Sequence, residues 1–154
     1  MPAVRKAVIP AAGLGTRQYP ATSFVRKELF PLVDRDGFTR PVLQIAVEEA
    51  LESGIEQVCI VGQPGAQKDL LAHFRPIPPE LQDKFRDKEW AWRQSRRLEE
   101  IAERLSFVEQ PRQEGLGHAV WCARKWVADE PFLVLLGDHV FVSTGPARCA
   151  AQLL

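Results

Sequence analysis

The sequence predicts an α/β fold: a mostly parallel sheet with helices on both faces. Three observations carry that expectation. Short apolar runs of strand length alternate with segments of helical period. Each run is continuously apolar instead of alternating, as in strands buried on both faces. Two of the runs close directly on a glycine, Gly62 and Gly137, where a strand would give way to a loop.

The elements follow in order. Lys6-Ala7-Val8-Ile9 reads as a buried strand that stops at Pro10 and passes into a small-residue loop. Pro41 to Ser53 reads as a helix, with Leu43, Val47, Ala50 and Leu51 at i, i+4, i+7 and i+8. Pro41 suits its first turn and Gly54 its stop. Gln57 to Gly62 is a second strand, and a helix is expected from Ala66 to Phe74. From Leu116 to Val127 a helix begins at the Gly115-Leu116-Gly117 turn, its first amides and positive dipole end available to a ligand. Leu133-Leu136 is a third strand with Asp138 just beyond its carboxyl end, where ligands collect in open α/β sheets. The tail, Pro146 to Leu154, reads as the start of a helix.

Between Pro78 and Arg104 the character changes. Of the 25 residues from Glu80 to Arg104, 14 are charged. Leu81, Phe85 and Trp92, then Leu98, Ile101, Ala102 and Leu105, are spaced helically. A solvated excursion whose apolar stripe packs back on the sheet is expected. Trp90 and Trp92 fall on different faces, which leaves one of them for an interface.

The chain has 154 residues, enough for one domain over 1–154 that buries roughly 70% of its unfolded surface. Twenty basic and twenty acidic residues cancel, which argues against a protein built to bind nucleic-acid backbones or anionic membranes. No apolar run approaches the roughly 20 residues of a membrane span. Cys59, Cys122 and Cys149 are odd in number and widely spaced, so reduced thiols and a cytoplasmic setting are expected.

The segment Ala11-Ala12-Gly13-Leu14-Gly15-Thr16-Arg17 follows the first strand, as a phosphate-cradling loop should. Gly13 and Gly15 permit positive φ and a close approach of backbone N–H groups to an anion. No Gly-Lys-Ser/Thr follows, and position 18 is Gln, so neither a Walker loop nor a full dinucleotide fingerprint is present. Arg17 adds forked donors for phosphate oxygens. Lys27 supplies a second cation shortly downstream.

These residues carry a resemblance. The loop through Arg17, Pro20-Ala21-Thr22, Lys27-Glu28 and Pro31-Leu32-Val33-Asp34 resemble the opening of the bacterial UTP–glucose-1-phosphate uridylyltransferases (UDP-glucose pyrophosphorylases). So do Val47-Glu48-Glu49-Ala50, Gly115-Leu116-Gly117-His118-Ala119-Val120, Ala123-Arg124 and Asp129-Glu130-Pro131-Phe132. The resemblance implies a Rossmann-like sheet of the nucleotide-diphospho-sugar transferase type. It implies transfer of a uridylyl group from UTP to glucose 1-phosphate, giving UDP-glucose and pyrophosphate. Arg17, Lys27 and Asp138 are the catalytic residues it implies, with Asp138 also holding Mg²⁺. Ala11, Ala12, Gly13, Leu14, Gly15, Thr16, Gln110, Gly115, Gly117 and His118 would bind the nucleotide. Gln110 and Gly117 would read the uracil edge, since an amide supplies both a donor and an acceptor. His118 stands in the first turn without a catalytic role, and His139 occupies a position where Asp or Asn is expected.

Departures qualify the transfer. Ser23 and Arg26 replace a lysine and a proline, and Arg35 to Thr39 form an insertion that reads as a turn centred on Asp36-Gly37. Asp138 is 16 residues from the last residue. The resemblance therefore implies the nucleotide-binding half alone, with the sugar-binding half absent and an exposed sheet edge that favours self-association. Transfer of a thymidylyl or guanylyl group, or a non-catalytic binding module on the same fold, are the alternatives.

Overall fold

The computed structural model describes residues 3–154. Its main sheet has four parallel strands, β1 (Lys6–Ala11), β4 (Gln57–Gly62), β5 (Leu105–Glu109) and β6 (Phe132–Val134), in the spatial order β5-β4-β1-β6. A short antiparallel hairpin, β2 (Pro31–Val33) and β3 (Thr39–Pro41), stands apart from it. The α-helices are α1 (Val42–Leu51), α2 (Gln67–Ala72), α3 (Pro79–Gln82), α4 (Glu89–Ala102), α5 (Leu116–Cys122) and α6 (Arg124–Val127), with short 3-10 turns between elements.

The sheet is covered on both faces because its central strands are apolar on both. Ala7, Ile9, Val58 and Ile60 face one way, against Leu43, Ala46, Val47 and Ala50 of α1, Leu70 of α2 and Ile101 of α4. Val8, Cys59 and Val61 face the other way, against Ala119 of α5, then Ala123 and Val127. Each fully buried Ile, Leu or Val contributes about 1.5–3 kcal/mol relative to exposure, so both faces hold the sheet.

In order of sequence, the four main strands lie third, second, first, fourth. The strand order reverses between β1 and β6, and in doubly wound sheets ligands bind in the crevice outside the carboxyl ends at that point.

Several expectations change. Pro10 does not end the first strand, which runs to Ala11. Its carbonyl accepts from Gly137 N (3.3 Å) on the β6 side, so its missing N–H also falls there, and the β6 ladder stops at Val134. The third strand is accordingly Phe132–Val134 rather than Leu133–Leu136. Leu105 opens β5 instead of extending the helical stripe, and Ala102 is exposed. In α4 the residues turned inward are Ala91, Ser95 and Ile101, with Leu98 packed on the core. The helix expected over Leu116–Val127 is broken at Ala123, and the tail forms only a 3-10 turn, Ala150–Gln152.

All ten residues of α1 are buried, Gln44, Glu48 and Glu49 included. The sheet covers one side; the hairpin, α4 and residues 148–150 cover the other. Glu48 reaches Arg40 (3.6 Å) and Arg97 (3.5 Å). Glu49 accepts from Arg148 Nη1 (2.9 Å) and from Ala150 N (2.8 Å). Buried carboxylates need such partners. No helix among the described residues is long and apolar enough to cross a membrane.

Candidate active site

Three carboxyl ends of the sheet build one cleft. From β1 comes the loop to Arg17, from β5 comes Gln110, and from β6 comes Asp138. The cleft measures about 380 Å³ and is lined by Ala12, Gly13, Arg17, Lys27, Gln110, Gly115 and Asp138, with Pro10, Gln113, Leu116, Ala119, Leu136 and His139 completing its wall. Past Arg17 it continues along Leu14, Gly15, Thr16 and Gln18.

Local sequence explains the loop. Gly15 has φ +65°, and a Cβ there would lie 2.7 Å from Thr22 Cγ2. Thr22 Oγ1 donates to Gly15 O at 3.0 Å, which locks the turn. Gly13 is not in the positive-φ region. Its role is steric: a Cβ would come within 3.2 Å of Lys27 Nζ, so glycine leaves the lysine its path. Gly137 serves the far wall, since a Cβ would stand 3.0 Å from Pro10 O. This close approach lets Asp138 arrive beside the end of β1.

At the glycine-loop end of the cleft two cations differ in state. Arg17 is exposed and makes no hydrogen bond or ion pair among the described residues. Lys27 is engaged: Nζ donates to Asp138 Oδ2 at 2.5 Å. His139 Nδ1 donates to Asp138 Oδ1 at 2.9 Å. Burial works to raise the Asp138 pKa, but the hydrogen bonds from Lys27 and His139 outweigh it and hold this carboxyl below the ordinary range.

Asp138 is the single predicted metal ligand, and no group of three or more His, Cys, Asp or Glu side chains among the described residues is arranged to hold an ion. One hard carboxylate nevertheless fits Mg²⁺, which takes one or two carboxylates and draws its other ligands from phosphates and water. Both Asp138 oxygens already carry protein donors, Lys27 on Oδ2 and His139 on Oδ1, so an ion there would share the carboxylate with them or displace one of them.

At the other end Gln110 is buried, 4% exposed. Its Nε2 donates one N–H to Gly115 O at 3.1 Å and lies 3.2 Å from His118 Nδ1, while Oε1 accepts from no group among the described residues.

Ala11, Gly117 and His118 do not line the cleft. Ala11 is buried in β1. His118 turns away because its Nδ1 donates to Arg112 O at 2.9 Å, while Cys122 Sγ lies 3.6 Å from Nε2. The histidine ties the loop after β5 to α5. Ser23 and Arg26, the departures near the loop, also bond elsewhere: Ser23 Oγ to Pro20 O (2.6 Å) and Arg26 to Asp69 (3.8 Å).

Sequence reasoning missed Glu28. It is 1% exposed, and its Oε1 has no hydrogen-bond partner. The Lys27-Glu28 motif held it, but nothing in the sequence signals that its carboxyl is buried.

Comparison with known proteins agrees with this architecture. The sequence profile of the nucleotidyl transferase family matches residues 6–151. The UTP–glucose-1-phosphate uridylyltransferase of Bacillus subtilis (strain 168) is 41% identical over 151 residues, 95% of this chain and 48% of the relative. That of Komagataeibacter xylinus is 40% identical over 153 residues, 98% of this chain and 51% of the relative. Among solved structures, the UTP-bound UGPase from Acinetobacter baumannii superposes with a TM-score of 0.73 at 34% identity, covering 97% of this chain and 51% of that one. A UDP-glucose pyrophosphorylase complexed with UDP-glucose gives 0.74 at 31% identity, covering 98% and 52%. The chain thus spans about half the length of the curated relatives it matches. A four-stranded parallel sheet that reverses order beside a glycine loop, together with a profile match along nearly all of its length, makes this chain a member of the nucleotidyl transferase family.

Proposed function

We propose that this chain is the nucleotide-binding half of a UTP–glucose-1-phosphate uridylyltransferase, the activity that its relatives' names carry. The observation that carries the reading is the convergence of Arg17, Lys27 and Asp138 on one cleft whose opposite end is lined by the buried amide of Gln110. UTP lies with its base toward Gln110 and its phosphates along Gly13 to Arg17.

Gln110 Oε1 accepts the N3–H of uracil, a group that cytosine and adenine lack at that edge. Arg17 holds the β- and γ-phosphates that leave as pyrophosphate, and Lys27 holds the phosphates nearer the point of attack. The amides of Leu14 and Gly15 complete the cradle. The second pKa of a phosphate monoester is about 6, so glucose 1-phosphate is largely dianionic at neutral pH and attacks without a strong base. The site therefore works by in-line positioning and charge neutralisation at the α-phosphorus. Mg²⁺ bound through Asp138 would neutralise phosphate charge and steady the leaving group. We place this activity in the cytoplasm, in keeping with three unpaired cysteines. Self-association through the free β6 edge would show as a dimer mass in light scattering.

Calorimetric titration with UTP, dTTP and GTP, with and without Mg²⁺, tests the reading. Mg²⁺-dependent preference for UTP is the expected result. Preference for dTTP or GTP would move the assignment to a thymidylyl or guanylyl transferase. Absence of binding by any nucleotide would leave a non-catalytic module.

A further inference from the structure

Lys27 stands between two carboxylates and is shared unevenly. Its Nζ is 2.5 Å from Asp138 Oδ2 and 3.6 Å from Glu28 Oε1. Asp138 is partly open to the cleft, with a quarter of its side chain exposed, whereas the Glu28 side chain is 1% exposed. Glu28 Oε1 has no hydrogen-bond partner, and a buried acceptor without a donor is costly and needs a reason. Burial raises the Glu28 pKa, against its own backbone amide and the lysine charge, which lower it. Gly13, with no Cβ in the way of Lys27 Cε and Nζ, leaves the ammonium room to swing.

We infer that Glu28 is a positioning residue, the second seat of Lys27, which receives the ammonium when Asp138 is taken by a divalent cation. The shift needed is under 1 Å, from 3.6 Å to an ordinary charge-assisted hydrogen bond of about 2.8 Å. It frees the Asp138 oxygen for a hard cation, satisfies the buried Glu28 oxygen, and keeps a positive charge beside the phosphate path. Without Glu28, a cation arriving at Asp138 would leave Lys27 unpaired beside it, and repulsion would weaken the cation's binding. The cation's place at Asp138 rests on the proposed function; the second seat itself does not.

Two measurements test the inference separately. In a crystal structure of Asp138→Ala, Lys27 Nζ should lie within about 3 Å of Glu28 Oε1; a lysine turned to solvent would overturn the second seat. The other readout is the factor by which Mg²⁺ strengthens UTP binding in calorimetry. Glu28→Gln should cut that factor about tenfold, within the coupling range of neighbouring charged groups, and should leave it unchanged in a Lys27→Met background. An equal loss in both backgrounds, or none in either, would make Glu28 merely structural and overturn the inference. Should Mg²⁺ not strengthen UTP binding in the parent chain, the metal reading falls, and the Asp138→Ala structure still decides the seat.

Discussion

Replacing Arg17 by Ala separates a binding residue from a structural one. The guanidinium is exposed and contacts no partner among the described residues, so its removal leaves no unsatisfied group behind. Substitutions of that kind change stability by about 0.5 kcal/mol or less, which is within roughly 2 °C of Tm for a chain this long. Its loss on the ligand side is larger. Hydrogen bonds to charged groups contribute about 1.5–3 kcal/mol, and each 1.4 kcal/mol is tenfold in affinity, so UTP should bind roughly 10- to 150-fold more weakly. The assay is calorimetric titration of parent and Arg17→Ala with UTP and with UMP, alongside thermal unfolding. Because Arg17 faces the β- and γ-phosphates in the proposed pose, UMP affinity should hardly move. Equal losses for UMP and UTP, or a Tm that falls in step with affinity, would refute the reasoning and make Arg17 a structural residue.

Two further substitutions probe the frame around the cleft. Gly137→Ala puts a Cβ 3.0 Å from Pro10 O and 3.1 Å from Ile9 Cγ2; overpacking of this kind costs about 1–3 kcal/mol, so Tm should fall and UTP binding should weaken with it. Asp36, hydrogen-bonded by Arg40 and Phe38 N, has its pKa lowered to about 2. Its folded value lies below the unfolded one, so its contribution is present above about pH 4 and is lost as pH falls toward 2. Asp36→Asn should therefore lower stability at pH 7, and its gap from the parent should shrink as pH falls from about 4 through 2 in denaturant titrations; a gap as large at pH 2 as at pH 7 would place the effect elsewhere. Half of this side chain is exposed, so solvent screening keeps the gap small.

The parts of the fold that were legible were those whose cause is local. Ala7-Val8-Ile9 and Val58-Cys59-Ile60-Val61 are apolar at every position because both faces of the sheet are covered, and that signal survives in the sequence. β5 was hidden because Leu105 continues the helical spacing of Leu98 and Ile101, and its partly exposed residues alternate less clearly. The β2–β3 hairpin was readable only as its Asp36-Gly37 turn, its strands being three residues long and mostly exposed. In the candidate site, Gly13, Arg17, Lys27 and Asp138 were legible as motif residues because phosphate chemistry restricts residue type, and the fold gathers them on one cleft. The engagement of the Gln110 amide by Gly115 O and the outward turn of His118 depend on where the loop after β5 lies relative to α5, which no local pattern encodes. Burial of Glu28 is likewise a tertiary fact.

The two ends of the cleft are built on different physics, and this has a measurable consequence. At the end proposed to take the base, Gln110 is buried and its amide is oriented by a backbone carbonyl. Its ordering is completed on folding, and its Oε1 has no partner among the described residues. A base that offers N–H there gains a hydrogen bond, whereas cytosine would oppose an acceptor with an acceptor and leave both unpaired. At the end proposed for the phosphates, Arg17 is exposed and Lys27 is half-buried, so their attraction for phosphate would be Coulombic and open to salt. The screening length falls from about 10 Å at 0.1 M to about 3 Å at 1 M. Raising salt across that range at fixed free Mg²⁺ should weaken UTP and CTP binding together and leave their ratio unchanged. If the ratio collapses with salt, base selection must depend on the charged end, and the division of labour between Gln110 and the two cations is wrong.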